Sequence, residues 1–221
     1  MNRSFEIHHQ REPHPDMSVP DPHQDMFARN TLGFWVYLMT DCLIFACLFV
    51  TYAVLHNQTF GGRASNELFH LPLAFAETMV LLCSSVFCGF AILSSLSTKS
   101  EQNSLEIMRK KRHKVVGFLI ASLFFGALFL AMELHEFAGF IKEGEVWTKS
   151  AFLSSYFALV GTHGLHVTLG SLWMIILMGQ IYWYGITVFT FRRLVIFGMF
   201  WHFLDLVWIF IFTFVYLMGV L

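Results

Sequence analysis

The sequence predicts an all-α integral membrane protein: a bundle of five transmembrane helices with a cytoplasmic N-terminus and a periplasmic C-terminus. Three observations carry the prediction. Of 221 residues 56% are hydrophobic and 13% charged, where soluble domains average about 25% charged; the mean hydropathy is +0.60. Five apolar runs are each long enough for the roughly 20 helical residues that cross a hydrocarbon core. The alternating pattern of barrel strands is absent, which leaves helices as the structure able to satisfy its own backbone in lipid.

Residues 1–30 differ in kind from the rest. The stretch "EIHHQREPHPDMSVPDPHQD" (Glu6–Asp25) holds all but one of the 5 prolines and the histidines His8, His9, His14 and His23. It has no apolar core of a secretory signal and reads as a disordered, polar cytoplasmic tail. Its histidines are open to weak binding of a divalent ion, or are simply solvated.

The first span, Leu32–Leu55, carries Asp41 about nine residues in. The second, Leu73–Leu96, has Glu77 near its start, and the third, Val115–Leu134, has Glu133 and Glu136 at its end. The fourth, Phe152–Tyr184, is too long for one untilted crossing and is expected to tilt or project into water. It contains "GTHGLHVTLG", with His163 and His166. The fifth, Leu194–Leu221, carries His202 and Asp205. Of the 14 lysines and arginines, eleven fall in the tail and the second and fourth connections, and Arg63, Lys142 and Lys149 on the other side. That bias sets the orientation. The connections are short, so residues 31–221 form one membrane domain. No phosphate-binding loop, dinucleotide fingerprint or nucleophile elbow is present. A net charge of −1 argues against a nucleic-acid partner. Cys42, Cys47, Cys83 and Cys88 all lie in apolar runs, where cysteine acts as a small hydrophobe.

Ionisable groups within spans are costly and mark function or helix contacts. By depth they form two layers, Asp41, His202 and Asp205 in one, and Glu77, Glu133 and Glu136 in the other, each able to neutralise itself across helices. At 100° per residue, His163, His166 and Gly170 share one face of the fourth span. Ala158, Gly161, Gly164, Thr168 and Ser171 share the other, and small residues let helices approach closely. Such a helix is expected between two neighbours. The histidines admit three readings: metal or haem ligands, a proton path, or polar groups joining helices. Four histidines in the spans, with a single H-x-x-H, fall short of the boxes of membrane di-iron enzymes. "MELHEF" lacks the Glu-x-x-His pairs of carboxylate di-iron bundles. Asp41 is either an exchangeable acid or a hydrogen-bond partner. Trp201, Asp205, Trp208 and Phe212 form one stripe, suited to packing against another helix or to cradling lipid chains.

"GTHGLHVTLGSLWM" (Gly161–Met174) and "FWHFLDLVWIFIFTFVYLMG" (Phe200–Gly219) resemble the two signatures of subunit III of the haem–copper respiratory oxidases. "GFWVYLMTDCLIFACLFVTYAVL" (Gly33–Leu55) and "ELFHLPLAFAETMVLLCSS" (Glu67–Ser85) extend the likeness over about residues 31–221. Five spans in place of seven, and "TYAVLHNQTFGG" followed by "ELFHLPLAFAET", are more similar to the quinol-oxidising, bo-type branch than to the cytochrome c branch. The resemblance implies a non-catalytic, cofactor-free subunit of a proton-pumping ubiquinol oxidase in the bacterial inner membrane. It would pack against subunit I, which holds the haems and copper, beside subunits II and IV. It would bind phospholipid in a cleft and support proton uptake. Asp41 stands where longer forms have an intramembrane glutamate reactive toward carbodiimides, one methylene longer. Glu133 and Glu136 match the acidic pair of a "SEYYE"-like segment, and His163, His166, His202 and Asp205 match histidine and aspartate positions of the family. Asp41, Glu77, Glu133, Glu136, His163, His166, Trp201, His202, Asp205 and Trp208 are therefore the candidate lipid-cleft or helix-packing residues. The other readings are subunit III of a five-span cytochrome c oxidase, an independent membrane metalloenzyme built on the histidines, and a carrier built around Asp41, for which no inverted repeat is evident.

Overall fold

The computed structural model describes residues 22–56, 58, 71–96, 105–217 and 219. Five long helices account for nearly all of them: α1 (Pro22–Leu55), α2 (Leu71–Ser95), α3 (Leu105–Lys142), α4 (Ala151–Tyr184) and α5 (Val188–Ile211), which continues as a π-helical turn, Phe212–Leu217. Each is long and apolar enough to cross a membrane. Among the described residues there is no strand. The expected residues 1–21 of the tail lie outside the described residues.

Helix ends follow local chemistry, and they move several expected boundaries. α1 starts at Pro22, inside the segment expected to be tail, because proline's fixed φ and missing N–H suit a first turn. α3 runs past the expected span at both ends. Its "RKKRHK" flank is polar, so hydropathy stops there, but Arg and Lys are good helix formers. α3 ends at Lys142, and two residues on Gly144, with φ of 77°, takes the left-handed conformation that glycine adopts without penalty. From there Glu145 N–H reaches Phe140 C=O at 2.9 Å and Gly144 N–H reaches Ile141 C=O at 3.1 Å, satisfying last-turn carbonyls. α4 opens on Ser150, whose Oγ accepts from Leu153 N–H at 3.2 Å. It closes at Gly185, again at φ 77°. Two residues later the capping box of Thr187 and Thr190 opens α5, so only three residues turn the chain back.

α4 sits against α1, α3 and α5, one neighbour more than the sequence suggests. The two faces expected of it are both used. Gly164 faces the Glu133 carboxyl of α3, and Gly170 faces Phe200 and Trp201 of α5. α2 and α3 are clasped by Ser84 and Ser122, each hydroxyl donating to the other's carbonyl at 2.7 and 2.8 Å. In lipid, hydrophobic attraction between helices is lost, so close packing and interhelical hydrogen bonds hold a bundle. Trp201 unites these contacts. Its indole N–H donates to Ser84 Oγ at 3.2 Å, and its ring fills the space that side chains on Gly126 and Gly170 would occupy. Aromatic residues mark the two ends of the bundle, with Trp147 exposed in the 143–150 turn and Tyr182, Trp183 and Tyr184 exposed at the end of α4, the placement expected of interfacial belts.

A Cβ on Gly170 would lie 2.9 Å from the Trp201 ring, whereas Gly179 has nothing within 4 Å. Gly170→Ala is therefore expected to destabilise the protein by about 1–3 kcal/mol, and Gly179→Ala to be neutral or slightly stabilising. Thermal unfolding of the two variants in detergent checks the difference.

Candidate functional site

Three polar clusters are built within the bundle, each across different helices. Towards the 143–150 end, Glu77 of α2 and Glu133 and Glu136 of α3 approach one another closely enough to interact electrostatically. All three are buried. The expected layer of glutamates thus exists, but its members do not neutralise each other, since all are acids. Glu136 is met instead by phenols: Tyr216 O–H donates to its Oε2 at 2.7 Å and Tyr156 O–H at 3.1 Å, with the two phenol oxygens 2.8 Å apart. The π-helical turn is what brings Tyr216 inward, because one extra residue in a turn rotates the later side chains relative to an α-helix. The Glu133 carboxyl occupies the space left by Gly164. Both Glu77 oxygens are buried with no hydrogen-bond partner among the described residues.

Asp41 does not join His202 and Asp205, the layer expected from depth. It pairs with His166 across α1 and α4, Nε2 to Oδ1 at 3.1 Å, with both groups largely buried. Depth along a helix is readable from span ends, but the direction a residue faces around the bundle is not. The other ring nitrogen settles the proton count. His166 Nδ1 lies 2.7 Å from Thr162 C=O, and a carbonyl only accepts, so Nδ1 carries a hydrogen. The Nε2–Oδ1 contact then takes one further proton, held by either partner, and in both cases the pair has no net charge. Beside it a pocket of about 320 Å³ is lined by Phe34, Tyr37, His166, Leu169, Trp173 and Phe200.

His163 is fully buried and boxed by rings, with Trp208 at 5.2 Å, Phe129 edge-to-face at 5.8 Å and Phe45 at 6.4 Å between centroids. Neither ring nitrogen has a hydrogen-bond partner among the described residues. Trp208 N–H donates to Thr78 Oγ1 at 3.1 Å, so both tryptophans of the α5 stripe pack inside this chain. His202 forms the third cluster: its Nδ1 lies 2.6 Å from Ser85 Oγ, and the same hydroxyl lies beside Asp205. No group of three or more histidine, cysteine or acidic residues is disposed to hold a metal among the described residues. His163 and His166 both lie against Phe45 but differ in hydrogen bonding, and His202 meets Ser85 of α2 instead.

Tyr156, Tyr216, Ser84 and Ser122 escape a reading based on charge. A usable signal exists: tyrosine and serine within apolar spans must find partners, and each sits at the depth of the group it meets. An apolar groove of about 530 Å³ also opens between α1 and the end of α5, lined by Phe49, Tyr52, His56, Phe210 and Phe214 among others.

The family model described as cytochrome c oxidase subunit III matches residues 22–220. Relatives named cytochrome bo(3) ubiquinol oxidase subunit 3 occur in Pseudomonas putida, 48% identical over 89% of each chain, and in Pseudomonas aeruginosa, 44% identical over 91% of this chain and 90% of the relative. A quinol oxidase subunit 3 of Bacillus spizizenii is 41% identical over 93% of this chain and 96% of the relative.

The pairings should show themselves in stability. Asp41→Ala and His166→Ala should be non-additive, with a coupling of about 1–2 kcal/mol typical of a good interhelical bond in a membrane protein. Asp41→Asn, whose amide donates to Nε2, should keep stability within about 1 kcal/mol of the parent. Tyr216→Phe removes one of the two donors to Glu136 and should cost about 1–3 kcal/mol. Reversible unfolding in mixed micelles measures all of these.

Proposed function

We infer, because the chain belongs to the cytochrome c oxidase subunit III family, that it is subunit III of a bacterial ubiquinol oxidase. In that role it is a non-catalytic part of a complex that passes electrons from ubiquinol to oxygen and translocates protons. The observation that carries the reading is the near full-length likeness to the Pseudomonas ubiquinol oxidase subunits, 89% of each chain in one and about as much in the other. The haems and copper belong to the neighbouring subunit I, and subunits II and IV complete the assembly. The chain lies in the inner membrane with its N-terminus in the cytoplasm, as the lysine and arginine bias suggests.

The chain's own contribution is mechanical and solvating. It shields a face of subunit I and binds phospholipid, for which the groove beside Phe49, Phe210 and Phe214 offers an apolar lining matched to an acyl chain. Asp41, Glu77, Glu133, Glu136, His163 and His166 serve as the buried polar framework that fixes the helices in one arrangement. The single proton held between Asp41 and His166 also makes this pair the candidate for supporting proton uptake.

The test is to purify the tagged chain from its native membrane in mild detergent, then record the redox difference spectrum and the subunit composition. Haem signals on larger partner subunits, without a Cu-A centre, are expected. A Cu-A centre in the complex would move the assignment to the cytochrome c branch. A lone polypeptide that carries stoichiometric metal, or oxidises quinol by itself, would overturn it. In the intact complex, Asp41→Asn should alter pumping efficiency or turnover-dependent inactivation if the pair supports proton uptake; unchanged values of both would remove that role.

A further inference from the structure

His202 is exposed at the middle of the fifth span, Val188–Leu217. Its hydrogen-bond partner Ser85 stands near the middle of the second span, Leu71–Ser95. The imidazole therefore reaches the outside of the bundle at the depth where hydrocarbon is thickest. Ionisable groups at that depth are expensive unless they face protein or a polar cavity.

The exposed threonines of the spans show how the chain handles polar groups that do face lipid. Thr40, Thr51, Thr168 and Thr213 each return the hydroxyl to the carbonyl four residues earlier, at 2.8 to 3.1 Å. Each is thereby satisfied within its own helix. An imidazole has two nitrogens and no such recourse. Ser85 engages Nδ1, and Nε2 of this exposed residue has no bond of its own shown among the described residues. Asp205, one turn further along α5, keeps Oδ1 buried with no hydrogen-bond partner among the described residues.

The surroundings are shaped to receive a helix. On α2, Ser85 is itself buried, while Gly89, one turn on, leaves open space where a Cβ would have nothing within 4 Å. On the same two helices Val86, Leu93, Leu206 and Ile209 are exposed, an apolar rim to a polar centre. A phospholipid tail offers nothing to Nε2 at this depth. A transmembrane helix with one polar side chain satisfies both the centre and the rim.

We propose that the α2–α5 face centred on His202 is the docking surface for a neighbouring subunit of the oxidase, a transmembrane helix of which brings a hydrogen-bonding side chain to His202 Nε2. The proposal rests on the oxidase reading, since it is that reading which supplies a partner subunit.

The test uses the intact complex. Leu206 and Val86 are replaced, one at a time, by a benzophenone-bearing amino acid, and adducts are identified by mass spectrometry after illumination. Adducts from both positions with a transmembrane peptide of one larger oxidase subunit are expected. Adducts with phospholipid, or with a second copy of this chain, overturn the proposal. Separately, His202→Leu should lower the fraction of chain retained on the complex after a detergent wash by about 10-fold, the equivalent of one good interhelical bond. His202→Gln, which keeps a polar group, should stay within about 2-fold of the parent. Retention of the leucine variant at the parental level would refute the polar contact. The cross-links are read with His202 intact, so they stand whether or not the leucine variant folds. A tagged chain that brings down no oxidase subunit refutes the oxidase reading itself; one that brings down the oxidase but cross-links there only to lipid refutes this surface alone.

Discussion

The bundle depends on how one indole ring is seated. Trp201 projects from α5 into the gap that glycine leaves at position 126 of α3 and at position 170 of α4, and its N–H rests on Ser84 of α2. Four of the five helices meet at that ring. In water a wedge of this kind would add to an already large burial term. In lipid the surrounding solvent is as apolar as the side chains, so fit and hydrogen bonding carry what burial cannot. The Ser84–Ser122 clasp meets the indole at its N–H edge, which explains why a serine pair of no apparent chemical interest sits at the centre of an apolar protein. The arrangement is self-consistent: enlarging either glycine displaces the ring, and displacing the ring leaves Ser84 with one partner fewer.

Around this centre, polar groups are distributed by helix pair. α1 is tied to α4 by Asp41 and His166, α3 to α4 and the last turn of α5 by Glu136 and two phenols, and α2 to α5 by Thr78 with Trp208 and by Ser85 with His202. Each tie has a different chemistry, so the pairings are not interchangeable, which favours one register among the many that apolar helices would otherwise allow. The π-helical turn belongs to this scheme. It sends Tyr216 into the core while Phe214, two residues earlier, faces the groove beside α1.

Five spans, their order and the polar residues within them were legible in the sequence, because hydrocarbon thickness imposes a length and expels charge. Helix ends were less so. Pro22 and the basic start of α3 show why: hydropathy reports where lipid ends, and a helix is free to continue into water. Depth was legible too, as the gathering of Glu77, Glu133 and Glu136 shows. Azimuth was not. Asp41 finds His166, 125 positions away, and nothing local to either residue encodes the rotation that brings them face to face. Tyr216 was hidden for a further reason, since a uniform 100° step places it wrongly once a π-turn intervenes.

The pairing of Asp41 with His166 has a consequence for a protein in an energised membrane. A single elementary charge held part-way across a bilayer feels the transmembrane voltage, with up to about 2.3 kcal/mol at stake per 100 mV for a full crossing. Two opposite charges 3.1 Å apart, or two neutral groups sharing the same proton, present almost nothing for that field to act upon. The clasp between α1 and α4 is therefore electrically silent. It holds with the same strength whether the membrane is charged or collapsed.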